Sequence, residues 1–217
     1  MKNGSLLAVR IRGDLACFTR PEMKVERVSY PVPTPSAARG ILEAIFWKPE
    51  FRWDVKEIQV LSPIRYFSIV RNEMGRQGKE SRASYRSARA WQQQGGGFDA
   101  SDKRTQRHTL ALRDVDYVIR ADIDVRLDVG DDPAKYRDQF RRRVAKGQCF
   151  AQPYLGCREF AAAFTTADGA PDPIPVTDDL GPMLLDLEYR ADGTGTPRFF
   201  NAQLDRGILR VPESEVA

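Results

Sequence analysis

The sequence contains a single histidine, His108, and only three cysteines, and both shortages exclude kinds of chemistry. A two-histidine ribonuclease mechanism and a multi-histidine zinc site are impossible, and a Ser-His-Asp triad would have to use His108. Because Cys17, Cys149 and Cys157 form no Cys-x-x-Cys pair, reduced thiols in a cytoplasmic protein are the simplest interpretation. Acid–base catalysis therefore depends on Lys, Tyr, Asp, Glu or one imidazole.

Long apolar runs are also missing, and so is a strong charge imbalance. No run approaches the roughly 20 residues of a membrane span, and residues 1–5 lack a secretory apolar region, so we expect no membrane partner. The 34 Lys and Arg exceed the 30 Asp and Glu by only four, so the positions of the charges matter more than their sum. A chain of 217 residues is one domain with an extension, or two small ones, and forms a core without a disulfide, metal or cofactor.

Hydrophobic periodicity predicts the elements. In chain order we expect a strand at 7–13, a helix at 35–47, strands at 53–61 and 64–70, a long strand at 115–127, a helix at 133–146, and strands at 159–164, 183–189 and 199–211. A bulge is expected near 56–57, loops at 19–33 and 165–181, and a turn at 205–207. Thr34-Pro35 and Asp132-Pro133 are typical helix starts.

Residues 71–107 carry nine basic and four acidic side chains, a glycine triplet and a glutamine triplet. The few aliphatic residues predict a long, basic, poorly packed insertion. Two interpretations stay open: a clamp that orders on RNA, or a surface loop without a ligand.

The order strand, helix, strand, strand, helix, strand predicts an α+β fold with the ferredoxin-like βαββαβ arrangement. We expect residues 1–165 to form this domain, with the insertion at 71–107, and residues 166–217 to form a small antiparallel β appendage. The fold alone does not indicate a function.

Six stretches, in this order and spacing, carry a resemblance to a known family: residues 13–22, 24–30, 34–41, 45–49, 71–73 and 152–160. The fourth is Ile45-Phe46-Trp47-Lys48-Pro49, and the last begins Gln152-Pro153-Tyr154-Leu155-Gly156. Together they resemble the Cas-five subunit of type I-C CRISPR systems, in the repeat-associated mysterious protein (RAMP) superfamily. The match covers about residues 6–165 and, more loosely, 178–186.

This resemblance implies a RAMP domain with a small C-terminal sheet. It also implies an endoribonuclease that cleaves precursor CRISPR RNA (crRNA) without a metal. The ribose 2′-hydroxyl attacks the adjacent phosphate and leaves a cyclic phosphate and a 5′-hydroxyl. The subunit then holds the 5′ handle of the mature crRNA within the cytoplasmic Cascade complex, beside its backbone and large subunits.

Such a cleavage needs a base, a cation for the developing charge and a proton donor. Similar family members use Tyr or His at the end of the first helix and a Lys-His pair at the start of the second. The corresponding residues here are Phe46, Lys135 and Tyr136. Lys135 stabilises the pentacovalent phosphate or serves as the base; alternatively it is a solvated lysine. Tyr136 donates a proton or orients the 2′-hydroxyl; alternatively it is a core aromatic.

Phe46 transfers no proton, so it belongs to the core or stacks on a base. The third catalytic candidate, His108, replaces the missing base if the insertion folds over the site; otherwise it is an exposed loop histidine.

A set of basic residues, most of them within the recognisable stretches, is predicted to bind RNA: Arg20, Lys24, Arg27, Arg39, Lys48, Arg71, Arg104 and Arg107. They alternate with Phe18, Tyr30 and Trp47, as expected where arginines bind phosphates and aromatics stack on unpaired bases. The alternative is a solvated charged rim over core aromatics, and Trp47 is expected in that core.

Three other functions stay open. The first is an architectural subunit that binds RNA and has lost the nuclease chemistry, which the residues at 46 and 136 favour. The second is a generic RNA-recognition module, which the single aromatic at 115–127 disfavours. The third is a role with target double-stranded DNA, because a phosphate-binding surface does not select its polymer.

Overall fold

The computed structural model describes residues 6–23, 25–74, 104–126, 132–190, 193 and 195–212. In this part of the chain the elements are β1 (Leu7–Ala16), β2 (Arg27–Val28), α1 (Pro35–Ile45), β3 (Phe51–Val60), β4 (Tyr66–Met74), β5 (Arg104–Val125), α2 (Pro133–Ala145), β6 (Ala163–Thr166), β7 (Asp178–Tyr189), β8 (Gly195–Asp205) and β9 (Ile208–Arg210). They form a mixed α/β structure with a large, mainly antiparallel sheet.

Both helices begin where the sequence predicts. The Thr34 hydroxyl accepts a hydrogen bond from the Ala37 N–H at 3.2 Å, and the Asp132 carboxylate accepts one from the Ala134 N–H at 2.9 Å. These side chains satisfy backbone donors that the first helical turn leaves open. Neither helix in the described ranges has the length and apolar content needed to cross a membrane.

Helix α1 ends two residues earlier than predicted. Its last residue is Ile45, because Phe46 turns into an extended conformation and places its ring in the core. The prediction that Trp47 lies in the core is wrong, since its side chain is 53% exposed.

The strand order in the sheet is β6-β1-β5-β3-β9-β8-β7, with β2 and β4 also paired to β5. The C-terminal half of β5 lies between β1 and β3, and its N-terminal half pairs with β4. The alternation predicted for 115–127 is confirmed as far as Val125, with every second side chain from Val115 to Ile123 buried; Leu127 lies outside the described residues. Helix α1 packs on β3 and β7, and α2 packs on β1, β5 and β6.

Several predicted strand boundaries are wrong for reasons of tertiary packing. Strand β1 continues past Gly13 to Ala16. A Cβ at Gly13 would lie 2.3 Å from Cδ1 of Leu155, so this glycine permits close packing and does not end the strand. The predicted 19–33 loop contains β2, which pairs in parallel with β5. The predicted bulge in β3 is confirmed between Val55 and Glu57.

The predicted insertion at 71–107 begins and ends in regular structure. Strand β4 continues to Met74 and β5 starts at Arg104, and β4 pairs along its whole length with residues 104–112 of β5. Residues 71–74 and 104–107 therefore belong to paired strands, while 75–103 lie outside the described residues and the insertion stays a prediction there.

The C-terminal strands continue the main sheet. Strand β6 lies at Ala163–Thr166 instead of 159–164, and β7 begins at Asp178 within the predicted loop. The predicted turn at 205–207 is confirmed, because Arg206 and Gly207 join β8 to β9. Strand β9 pairs with β3. The domain boundary at 165/166 stays a prediction.

Gly156 joins the 155–162 segment to the end of β1. Its φ is +81°, and a Cβ there would lie 2.1 Å from the carbonyl oxygen of Cys17. The Cys17 N–H donates to the Leu155 carbonyl at 3.0 Å, so the two segments cannot separate without breaking this hydrogen bond. Both backbone conformation and space therefore require glycine.

We expect Gly156→Ala to lower the free energy of unfolding by about 3 kcal/mol or more, because a left-handed φ and a backbone clash combine. Gly147→Ala is the matched control, since Gly147 also has a positive φ (+63°) but no atom within 4 Å of the position that a Cβ would take. The control should lose about 1 kcal/mol. Urea unfolding measures both; equal losses would contradict the close approach.

Candidate nucleic-acid interface

The structure brings Phe46, Lys135 and Tyr136 together around one ring. Phe51 lies between the two aromatics, 5.3 Å from the Phe46 centroid and 5.2 Å from the Tyr136 centroid. Phe46 and Tyr136 are each only 1% exposed, so both belong to the core. Lys135 is exposed in the first turn of α2, with its Nζ 5.4 Å from the Tyr136 ring. Of the three, Lys135 is the side chain that reaches solvent.

Carboxylates lie beside the start of α2. A cavity of about 370 Å³ there is lined by Asp122 and Asp132, together with Arg137. Arg137 forms an ion pair with Asp122, and the Asp132 carboxylate accepts the hydrogen bond that caps α2. Lys135 is therefore the exposed cation at this helix start, where backbone N–H groups also favour a phosphate.

His108 is distant from this place. It lies exposed on β5, opposite Val70 of β4, and its backbone N–H donates to the Glu26 carboxylate. Ile123, which lines the cavity beside α2, is 15 residues further along β5. At roughly 3.3 Å per residue this is about 50 Å along the strand. The described structure does not bring His108 to Lys135.

Three predicted RNA-binding residues, Arg27, Arg71 and Arg107, form a second group that we call the arginine cluster. Arg71 is paired with Arg107 across β4 and β5, and Arg27 is paired with Thr109 on β5. Each guanidinium also has a partner: Arg71 contacts Glu159, and Arg107 lies 3.7 Å from Glu26. The cluster is therefore a network that binds a phosphate only by sharing or exchanging these partners.

A buried thiol pair completes this network and was not predicted. Arg27 Nη1 donates to the Sγ of Cys157 at 3.1 Å. A hydrogen bond between the two thiols lowers the pKa of Cys17 and raises that of Cys157, and the charges of Arg27 and Arg71 lower the Cys17 pKa further. Cysteines 140 positions apart give no local sequence signal for such a contact.

Other predicted residues have different surroundings. The Arg20 guanidinium lies 4.5 Å from the Tyr30 centroid, but Tyr30 and Phe18 are buried and offer no stacking surface. Lys48 is half-buried beside the exposed Trp47. Lys24 and the Arg104 side chain lie outside the described residues. No group of three or more His, Cys, Asp or Glu side chains in the described ranges could hold a metal ion.

Arg39 is committed to an ion pair. Both of its Nη atoms contact the Asp186 carboxylate of β7, one of them at 2.7 Å from Oδ1, and its Nε lies 3.6 Å from Glu43. Burial of Asp186 opposes its ionisation, but hydrogen bonds from Arg39 and the Leu187 N–H prevail, so the pKa of Asp186 is lowered. This bidentate pair attaches β7 to α1.

Sequence reasoning also missed an exposed aromatic, Phe150, in the segment after α2. A phenylalanine in a polar segment that follows three consecutive arginines was the available signal.

Comparison with known proteins gives consistent similarities. A family model described as CRISPR-associated protein (Cas_Cas5) matches residues 6–210. The CRISPR pre-crRNA endoribonuclease Cas5d of Thermus thermophilus is 45% identical over 224 residues, which cover 95% of this chain and 91% of that protein.

Two solved structures share the fold. One, titled as a CRISPR-associated protein, has a TM-score of 0.66 at 24% identity and covers 96% of this chain and 92% of its own. The other belongs to a CRISPR RNA-guided surveillance complex, with a TM-score of 0.50 at 14% identity, and covers 94% of this chain and 88% of its own.

We expect Asp186→Asn to lower the free energy of unfolding by about 1–2 kcal/mol at pH 7, because a partly buried bidentate pair is lost. The pKa of Asp186 is lower in the folded than in the unfolded protein. The stabilisation is therefore complete above the unfolded value, about 3.9, and disappears as the pH falls through the folded value. Urea unfolding at pH 7, 5 and 3.5 measures the difference from wild type, and a difference that grows on acidification would contradict the pair.

Proposed function

This chain belongs to the CRISPR-associated protein (Cas_Cas5) family, and from this membership we propose that it is a pre-crRNA endoribonuclease. The observation that carries the proposal is 45% identity to the Thermus thermophilus enzyme across 95% of the chain. The family model, which matches residues 6–210, spans every described element.

We infer a ferredoxin-like architecture from the topology. The strands β6, β1, β5 and β3 are neighbours in this order and pair antiparallel throughout. Helix α1 connects β1 towards β3, and α2 connects β5 to β6, which is the βαββαβ connectivity. On this inference the domain comprises residues 1–165, and β7, β8 and β9 form the C-terminal appendage.

The proposed reaction is metal-independent cleavage. The 2′-oxygen forms a bond to the adjacent phosphorus, the bond from phosphorus to the 5′-oxygen breaks, and that oxygen takes a proton. The products are a cyclic phosphate and a 5′-hydroxyl. The exposed Nζ of Lys135 stabilises the negative charge that develops on the phosphate. Tyr136 would need its enclosed phenol opened to transfer a proton, so its role stays a prediction.

We further propose that the protein retains the 5′ handle of the mature crRNA in a type I-C Cascade complex, with the backbone and large subunits as neighbours. The arginine cluster supports this proposal, because it places three arginines on the adjacent strands β2, β4 and β5. Phosphates would share or replace the carboxylates of Glu26 and Glu159.

The second candidate is an architectural subunit that binds RNA without cleaving it. The burial of Tyr136 and the phenylalanine at position 46 favour it, because neither side chain is placed to move a proton.

We expect the purified protein to cleave CRISPR repeat RNA in the presence of EDTA, and a 2′-deoxy substitution at the scissile nucleotide to abolish cleavage without loss of binding. Lys135→Ala should slow cleavage by about 100-fold or more, because it removes the cation at the reacting phosphate. Arg206→Ala is the control, since it removes an exposed cation from the β8–β9 turn. Single-turnover gel assays measure the rates.

Two results would contradict the catalytic proposal. Wild-type protein that binds repeat RNA and yields no product would favour the architectural subunit. Cleavage that depends on added Mg²⁺ and tolerates the 2′-deoxy substitution would exclude attack by the ribose.

The arginine cluster gives a separate prediction about binding. Arg107→Ala should weaken repeat RNA binding about three- to tenfold and reduce the slope of log affinity against log salt by about 0.7, the value for one contact to a single strand. Arg39→Ala should leave affinity within twofold, because Asp186 already holds that guanidinium. Fluorescence anisotropy between 50 and 500 mM salt measures both; equal effects of the two substitutions would argue against the cluster.

A further inference from the structure

Two large aromatic side chains are exposed at the end of the molecule where α1 and α2 finish. Trp47 is 53% exposed and Phe150 is 77% exposed. The neighbouring aromatics behave differently, because Phe46 and Phe140 are buried in the core. An exposed ring gains nothing from the core, so adjacent exposed rings are a feature of binding surfaces.

The backbone holds both rings at one place. The N–H groups of Phe150 and Ala151 donate to the Ala44 carbonyl at 2.9 and 3.0 Å, and Arg143 Nη1 donates to the Ile45 carbonyl at 3.1 Å. The segment after α2 thus satisfies the last carbonyls of α1. Trp47 follows that helix end by two residues. Both rings therefore project from a fixed, hydrogen-bonded junction.

Cations lie next to this junction along the chain. Arg142 and Lys146 are exposed and Lys48 is half-buried, and none of the three forms an ion pair within the part of the chain that the structure describes. The dipole of α2 favours cations at its C-terminal end, which accounts for their presence there but not for the exposure of the rings. No carboxylate among the described residues balances the positive charge of these three side chains. In the arginine cluster, by contrast, Glu159 and Glu26 pair with Arg71 and Arg107.

We propose that Trp47, Phe150, Lys48, Arg142 and Lys146 form a binding site for unpaired RNA, which we call the helix-end platform. The rings stack on successive bases, and the three cations contact the phosphates between them. An RNA strand fits better than a protein partner, because the centres of protein interfaces are depleted in lysine and this surface surrounds two rings with unpaired cations. The inference rests on the proposed function and specifies where its substrate binds.

The platform lies at one end of α2 and Lys135 at the other. Lys146 follows Lys135 by 11 positions, which corresponds to about 16 Å along the helix axis. This distance equals about five stacked nucleotides at roughly 3.4 Å each. A strand stacked on the platform therefore reaches Lys135 within a few nucleotides, so the platform positions the RNA but does not contact the scissile phosphate.

The test compares Trp47→Ala and Phe150→Ala with Phe199→Ala, which removes a similarly exposed ring (48%) from β8. Affinity for an unstructured 12-nucleotide oligouridylate is measured by anisotropy on the full chain. We expect each platform variant to lose about tenfold or more, the effect of removing one stacked base, and Phe199→Ala to stay within twofold. Trp47→Phe should recover most of the affinity, because a flat ring is restored. Thermal melting checks that the variants fold.

Cleavage of repeat RNA by the wild type is assayed in parallel. If the wild type cleaves and both platform variants bind oligouridylate normally, the proposed platform is contradicted and the proposed endoribonuclease function is supported. If the wild type does not cleave but RNA binding depends on Trp47 and Phe150, the proposed endoribonuclease function is contradicted and the proposed platform is supported. If the variants keep RNA affinity but no longer assemble with the other Cascade subunits, the surface is a protein contact and the proposal is overturned. Oligouridylate that does not bind the wild type also overturns it.

Discussion

The packing of aromatic rings where α1, β3 and α2 meet determines the arrangement of the candidate site. Five rings form one cluster, in which Phe51 contacts Phe46, Trp53 and Tyr136, and Trp53 also contacts Phe140. The Trp53 Nε1–H donates to the Phe46 carbonyl at 2.8 Å. This cluster forces the chain to become extended at Phe46, so α1 ends there and Trp47 turns to solvent. It also fixes the first turn of α2, from which Lys135 projects. The packing of one aromatic cluster thus determines that both Trp47 and Lys135 are exposed.

Ion pairing divides the basic residues into two kinds. Arg39 stabilises the fold, because its guanidinium is paired with Asp186. In the arginine cluster, carboxylates already balance part of the positive charge. Near the C-terminal end of α2, Arg141 pairs with Asp138, whereas Arg142 and Lys146 have no ion-pair partner in the described ranges. A phosphate that binds them displaces water only, whereas one that binds Arg71 or Arg107 competes with a carboxylate. The number of basic residues in a stretch is therefore a poor measure of its affinity for RNA.

The features that the sequence predicted well are local ones. Helix starts depend on Thr34 and Asp132, and the buried face of β5 depends on strict alternation, so both were correct without tertiary information. Contacts between distant segments were not predictable. The partner of Arg39 lies 147 residues away, and the exposure of Trp47 depends on where the ring of Phe46 packs. The placement of His108 required the register between β4 and β5, which periodicity leaves undetermined.

The same cluster constrains how this chain could cleave RNA. A phenylalanine at 46 and an enclosed phenol at 136 leave little acid–base catalysis next to Lys135, so most of the rate must come from charge stabilisation and from holding the 2′-oxygen, phosphorus and leaving oxygen in line. Alignment requires a strand held at more than one point. Under the proposed function, Lys135 supplies one point and the helix-end platform another, about 16 Å away along α2. Because α2 is rigid and its C-terminal end is bound to α1, that spacing stays fixed while the RNA binds.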